Sequence, residues 1–125
     1  MFEEKILYKE LSYKIVGLAM QVHTELGFGF MEEVYENALV VLLKESEIDA
    51  VPRFPIKVRF HGHLVGDYIA DILVDSRVIL VLKAHENLLN FHRAQTLNYL
   101  KATGLKLAIL LNFGKSKLEY ERLVS

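Results

Sequence analysis

Five consecutive apolar residues, Val78-Ile79-Leu80-Val81-Leu82, run without a polar interruption and close on Lys83. The run is too short for an ordinary helix and reads as a strand covered on both faces, the pattern of a central strand with helices packed on either side. The turn Asp75-Ser76-Arg77 precedes it, and before that turn lies another strand, Val65 to Val74, with an acid inside its apolar half: Ala70-Asp71-Ile72-Leu73-Val74. Strand side chains alternate with period two, so Lys83 shares a face with position 81. The turn sets Asp71 and position 81 side by side on neighbouring strands.

The rest of the chain supplies the flanking layers. Leu11, Ile15, Leu18, Ala19, Val22 and Leu26 recur at spacings of three and four and predict a helix over 9–26, ended by Gly27-Phe28-Gly29. Met31, Val34, Tyr35, Ala38, Leu39 and Leu42 predict a second helix over 30–46, with Glu32 and Glu33 in its first turn. Pro52 and Pro55 read as a connector. Ile56, Val58 and Phe60 alternate with Lys57 and Arg59 in a half-buried strand, and His61-Gly62-His63 is its hairpin turn. Helical spacing returns over 87–102 until Gly104, followed by a buried strand at 107–111, an Asn112-Phe113-Gly114 turn and a last strand over 118–124. The order α-α-β-β-β-α-β-β is an α+β fold, a mixed sheet flanked by helices, and 125 residues suit one domain, 1–125.

Composition narrows the chemistry. There is no cysteine, which excludes disulfides, thiolate metal sites and a cysteine nucleophile and fits a reducing cytoplasm. The formal net charge of -1 counts against a dedicated non-specific nucleic-acid binder and leaves room for a local basic patch. Met1-Phe2-Glu3-Glu4-Lys5 opens without the apolar core of a leader, and no apolar run approaches a membrane span.

Several short motifs follow one another in order. Gly29-Phe30-Met31-Glu32-Glu33-Val34-Tyr35 fits Gly-x-x-Glu-x-x-Tyr. Then come Gly66-Asp67-Tyr68-Ile69-Ala70-Asp71, Leu82-Lys83-Ala84, Gln95-Thr96-Leu97-Asn98-Tyr99-Leu100-Lys101-Ala102-Thr103-Gly104 and Leu110-Leu111-Asn112-Phe113-Gly114. From Leu11 to Val124 this series resembles the GxxExxY proteins, a branch of the PD-(D/E)XK nuclease superfamily. The resemblance implies a restriction-endonuclease-like αβββαβ core and ancestry among magnesium-dependent nucleases. It places Glu32, Asp71 and Lys83 at active-site positions and Gln95 on the helix facing them. The sequence departs from the pattern where Ile69 replaces an arginine and where Val81 replaces a glutamate.

Phosphodiester hydrolysis needs an activated water and a counter-charge for phosphate, and Mg²⁺ or Mn²⁺ held by hard oxygen ligands supplies both. Asp71 and Glu32 are the expected metal ligands, and Lys83 the group that orients the water or meets the oxyanion. Glu32 is equally a first-turn acid favoured by the helix dipole. His92, Gln95 and Tyr99 share one helical face, with Gln95 the residue expected to line the cleft. His85, at the parity of Lys83, and the neighbouring Glu86 are candidates to replace the missing carboxylate. Tyr35 reads as core, Gly29 as backbone geometry, His23 as structural, and His61 and His63 as solvated turn residues. Val81 predicts catalysis weakened or lost, a pseudo-nuclease. The competing expectation is a non-catalytic module of the same fold that binds DNA or RNA, a protein partner or a second copy of itself. Lys57, Arg59, Lys83, Arg93 and Lys101 are its candidate phosphate contacts, scattered over helices and strands.

Overall fold

The computed structural model describes residues 6–125, so the opening Met1–Lys5, read above as lacking a leader, lies outside the described residues. Two helices come first. α1 (Lys9–Leu26) buries Ile15, Ala19 and Val22, and Gly27 ends it with φ 72, a left-handed value that glycine tolerates. α2 (Glu32–Glu45) buries Tyr35, Leu39 and Leu43, one residue per turn on a single stripe.

The strands are β1 (Ala50–Phe60), β2 (His63–Val74), β3 (Val78–Lys83), β4 (Leu107–Asn112) and β5 (Glu119–Val124), with α3 (Asn90–Thr103) between β3 and β4. They form one mixed sheet in the order β1-β2-β3-β4-β5. Only β3 and β4 run parallel, joined by the α3 crossover. β3 is the middle strand and all of Val78 to Leu82 is buried, as its unbroken apolar run requires.

Two apolar clusters cover the two faces. One packs α1 and α2 against Ile72, Val74, Leu80, Leu82, Ile109 and Leu111. The other packs Leu88, Tyr99 and Leu100, in and just before α3, against Ala70, Leu73, Ile79, Val81 and Leu110.

β1 is longer than the sequence suggested. Pro52 and Pro55, taken for a connector, pair with Ile72 and Ile69 inside the strand. β1 lies on the sheet edge, where a residue lacking an N–H forfeits no inner ladder bond. α3 starts later than expected, at Asn90, because the Leu89 backbone N–H donates to His92 Nδ1 at 3.0 Å and fixes the first turn there. The hairpin tip forms at His61 (φ 49) and Gly62 (φ 79), and His61 and His63 are both exposed.

One irregularity positions the site. The β2–β3 ladder covers only Ile72↔Leu80 to Val74↔Val78, so the β1–β2 hairpin projects well beyond β3. The β1–β2 ladder passes from Pro52↔Ile72 to Phe54↔Ala70, and Arg53 between them takes a left-handed φ of 55. Ile72 belongs to the α1/α2 face and Ala70 to the α3 face. β2 therefore turns over at Asp71, at the point where the strands separate.

Candidate active site

Asp71 is half-buried, and its Oδ2 accepts the backbone N–H of Leu82 at 2.6 Å. The β2–β3 ladder ends at Ile72↔Leu80, so Asp71 lies just past its last pair and no Asp71–Val81 pairing forms. Val81 is only 3% exposed and packs in the apolar cluster beneath α3.

The acid that meets Asp71 comes from α2. The Glu36 carboxyl hydrogen-bonds with that of Asp71, and Glu36 holds its proton up to a pKa of about 8. Burial is the largest cause, followed by the charge of Asp71 and the hydrogen bond to it; Glu32 adds to the rise, while Arg53 opposes it. Burial also raises Asp71, against the opposing pull of the Leu82 N–H, the Glu36 carboxyl and the Lys83 ammonium. Two carboxyls pressed together out of bulk water share a proton near neutrality, since both cannot ionise cheaply.

Glu36 escaped the sequence reading, which stopped at Glu32. The signal was present: residues four apart on a helix share a face, so any site reached by Glu32 is also within reach of Glu36.

Of the remaining expected residues, Lys83, Glu32 and His85 lie near this pair, whereas Gln95 and Glu86 do not. Lys83 lies near enough to pull on the Asp71 proton, although the direct partners of Asp71 are Glu36 and the Leu82 N–H. Glu32 forms no cap bond; its Oε1 lies 3.5 Å from His85 Nε2. The charge of Glu32 is felt by both Glu36 and Asp71. His85 is thereby brought to the rim of the site, its ring 5.1 Å from that of buried His92, while Glu86 points into solvent. Burial lowers the His92 pKa, and Lys83 and His85 reinforce the effect. A recess of about 470 Å³ lined by Phe30, Met31, Glu32, Glu33, Glu36 and Ala84 opens beside Glu36, and neither Asp71 nor Lys83 is part of its lining. Gln95 is not in that recess. It lines a separate groove between α3 and the β1–β2 hairpin.

The supports are rigid. The Tyr35 hydroxyl, one residue before Glu36, donates to Gly27 O at 2.6 Å and accepts the Phe30 N–H at 3.2 Å, and its ring stacks on Phe113 at 4.6 Å. Gly29, between these anchors, has φ 115, so its role is backbone geometry. Behind Lys83, buried Asn112 accepts the His85 N–H at 3.0 Å and donates to His85 O at 2.9 Å. A Cβ on Gly114 would meet His85 O at 2.3 Å, so this turn packs backbone against backbone. His23 is structural as read: Nε2 reaches Lys115 O at 2.7 Å.

Among the described residues no three His, Asp or Glu side chains converge into a metal cage. The donor set is nonetheless suited to Mg²⁺ or Mn²⁺, which take one or two carboxylates and complete their shells with water and substrate phosphate. It does not suit zinc, which wants three or four nitrogen or sulfur donors.

The family profile of the PD-(D/E)XK nuclease superfamily matches residues 9–123, and the chain belongs to that superfamily. Among solved structures, the crystal structure of SSO0001 is similar, with a TM-score of 0.59 at 13% sequence identity over 75% of this chain. That likeness shows the fold, and the chain spans 50% of the length of SSO0001. No curated protein sequence matches significantly. No helix among the described residues is long and apolar enough to cross a membrane.

Proposed function

We propose that this domain, of the GxxExxY branch of its superfamily, is a cytoplasmic phosphodiesterase acting on nucleic acid. Asp71 and Glu36 would hold its Mg²⁺ or Mn²⁺, and its catalysis is weaker than that of a site with a strand glutamate. The supporting observation is the Glu36–Asp71 pair itself. Two half-buried acids that share a proton are the form a cation site takes when a proton stands in for the cation. Glu36, arriving from α2, provides the second carboxylate that position 81 lacks. Glu32, close to both acids, adds negative potential and a contact through water.

When bound, the cation supplies Lewis-acid charge to the phosphate and to the attacking water. Asp71 is oriented for this work by the Leu82 N–H, and Glu36 must first give up its proton. Lys83 places an ammonium beside Asp71, where negative charge develops on phosphate. The site is slow on this account because one of its acids is neutral near pH 7 and because apolar Val81 narrows the space for hydrated ligands.

Buried Val81 also favours a second reading, a module of the same fold that binds nucleic acid, a protein partner or a second copy without cleaving. The two readings separate on purified protein by Mn²⁺ titration calorimetry and by cleavage assays on single-stranded, duplex and branched DNA and on RNA with Mg²⁺ or Mn²⁺. The first expects one weak Mn²⁺ site and slow, EDTA-sensitive cleavage. Absence of Mn²⁺ binding at millimolar concentration, with no cleavage of any substrate, leaves only the second.

A further inference from the structure

The β1–β2 hairpin projects past β3 and leaves a groove of about 1230 Å³ between its inner face and α3. Three cations expected to be scattered, Lys57, Arg59 and Lys101, come together along it, and no acidic residue lines it. Lys57 is paired with Asp67 at 2.9 Å, whereas Arg59 and Lys101 make no ion pair among the described residues. In a chain of formal net charge -1, this groove is a local reversal of sign.

Aromatic rings stand between these charges. Phe60 on the hairpin is 64% exposed and Phe91 on α3 is 67% exposed, and both line the groove. Tyr68 and Tyr99 face each other across it with ring centroids 5.9 Å apart. Covering exposed rings of this size with an apolar surface is favourable, in proportion to the area taken out of water. Cations that follow a backbone, interleaved with rings that stack on bases, are how proteins hold unpaired strands. A duplex offers its base faces to no one, so rings in a groove gain little from it.

From the alternation of cations and exposed rings we infer that the groove between α3 and the β1–β2 hairpin binds single-stranded DNA, its phosphates on Arg59 and Lys101 and its bases on Phe60 and Phe91. The inference rests on the reading of the domain as one that acts on nucleic acid, and it names the substrate class. DNA is favoured over RNA because the hairpin wall carries Val58 and Val65, apolar contacts for the thymine methyl that uracil lacks. Gln95, the residue expected to line the catalytic cleft, sits here instead, where its amide can meet a base edge. The groove and the acids are separate features of the domain: Tyr99 lines the groove, and none of Glu32, Glu36, Asp71 or Lys83 does.

The test is fluorescence anisotropy in EDTA with labelled oligo(dT), oligo(rU) of equal length and a blunt duplex. The whole chain is compared with its Phe91→Ala, Phe60→Ala and Lys101→Gln variants. All three positions are exposed, and circular dichroism checks that the variants keep the fold. Oligo(dT) is expected to bind at least about tenfold more tightly than the duplex and more tightly than oligo(rU). Each phenylalanine removal should weaken it about tenfold, and Lys101→Gln should flatten the salt dependence by about 0.7 in log–log slope. Equal or tighter duplex or oligo(rU) binding, affinity indifferent to Phe60 and Phe91, or no oligo(dT) binding at low salt would each overturn the inference. The metal is absent throughout, so these outcomes do not depend on the acid pair. Strand binding without metal-dependent cleavage would retain the groove and remove the catalytic reading, whereas cleavage by a chain whose groove variants bind normally would do the reverse.

Discussion

The two flanks of the separating strands carry opposite chemistry. On the α2 side, Glu32 and Glu36 converge on Asp71, and the charges of Glu32 and Asp71 help hold the proton on Glu36. On the α3 side, Lys57, Arg59 and Lys101 line a groove with Phe60, Tyr68 and Phe91. The summed charge of -1 hides this division completely. A near-neutral chain can thus carry a cation-seeking pole and an anion-seeking pole some residues apart, and bulk charge is a poor guide to either. The difference also separates two tasks: holding a metal, and holding a polymer.

The sharpest way to break that separation is Asp71→Asn. On the proposed reading, Mn²⁺ affinity measured by calorimetry falls by more than about 100-fold, beyond what loss of an outer-shell partner costs. Oligonucleotide binding in EDTA should be unchanged. Loss of both together would mean that the two flanks act as one site.

Glu36→Gln probes the acid flank by pH. Native Glu36 titrates at about 8, above the ordinary 4.5, so the folded protein keeps a proton that the unfolded chain releases. Its contribution to stability is complete below about 4.5 and is lost as pH rises through about 8. Mn²⁺ must displace that proton, so affinity in the native protein should climb about tenfold per pH unit from 6 to 8 and then level. In the glutamine variant the affinity is lower and the climb is gone. A native profile already flat from pH 6 would contradict a shared proton.

Val81→Glu asks whether the strand position still belongs to the acid flank. A carboxylate among Ile79, Leu100 and Leu110 has no partner there, and urea denaturation should record a loss of about 3 kcal/mol. Mn²⁺ should restore part of it and raise Tm more than in the native chain. A stable variant indifferent to Mn²⁺ would mean that position 81 does not open toward Asp71.

The smallest effect is expected for Gly114→Ala, which disturbs the shared support. The added Cβ collides with backbone atoms of Ala84 and His85, just beyond Lys83, and should cost about 2 kcal/mol by the same denaturation measurement. Mn²⁺ affinity should fall with it while groove binding persists.

Much of this architecture was legible before any coordinates. Val78 to Leu82 had to be central because nothing in it tolerates water, and the stripes of α1 and α2 left one face each to bury. β1 was misread because Pro52 and Pro55 argue against a strand only when its edge is covered, and the strand order is not written in local pattern. Asp71 and Lys83 were legible as neighbours because period two and a short turn fix them. Glu36 was legible only as a residue sharing the face of Glu32; that this face meets the open end of β2 depends on tertiary packing. The groove was hidden for the same reason: Arg59 and Lys101 are 42 positions apart by their numbers and meet only because the hairpin overhangs α3.

Tyr35 carries a further consequence. Stacked on Phe113 and bonded to the Gly27 carbonyl, it fixes the rotation of α2 like a key in a shaft, one position before Glu36. A helix so keyed cannot swing away when Glu36 gives up its proton beside Asp71. Apolar packing then holds two carboxylates in a position they would leave if unconstrained, and whichever positive species arrives finds the work of assembly already done.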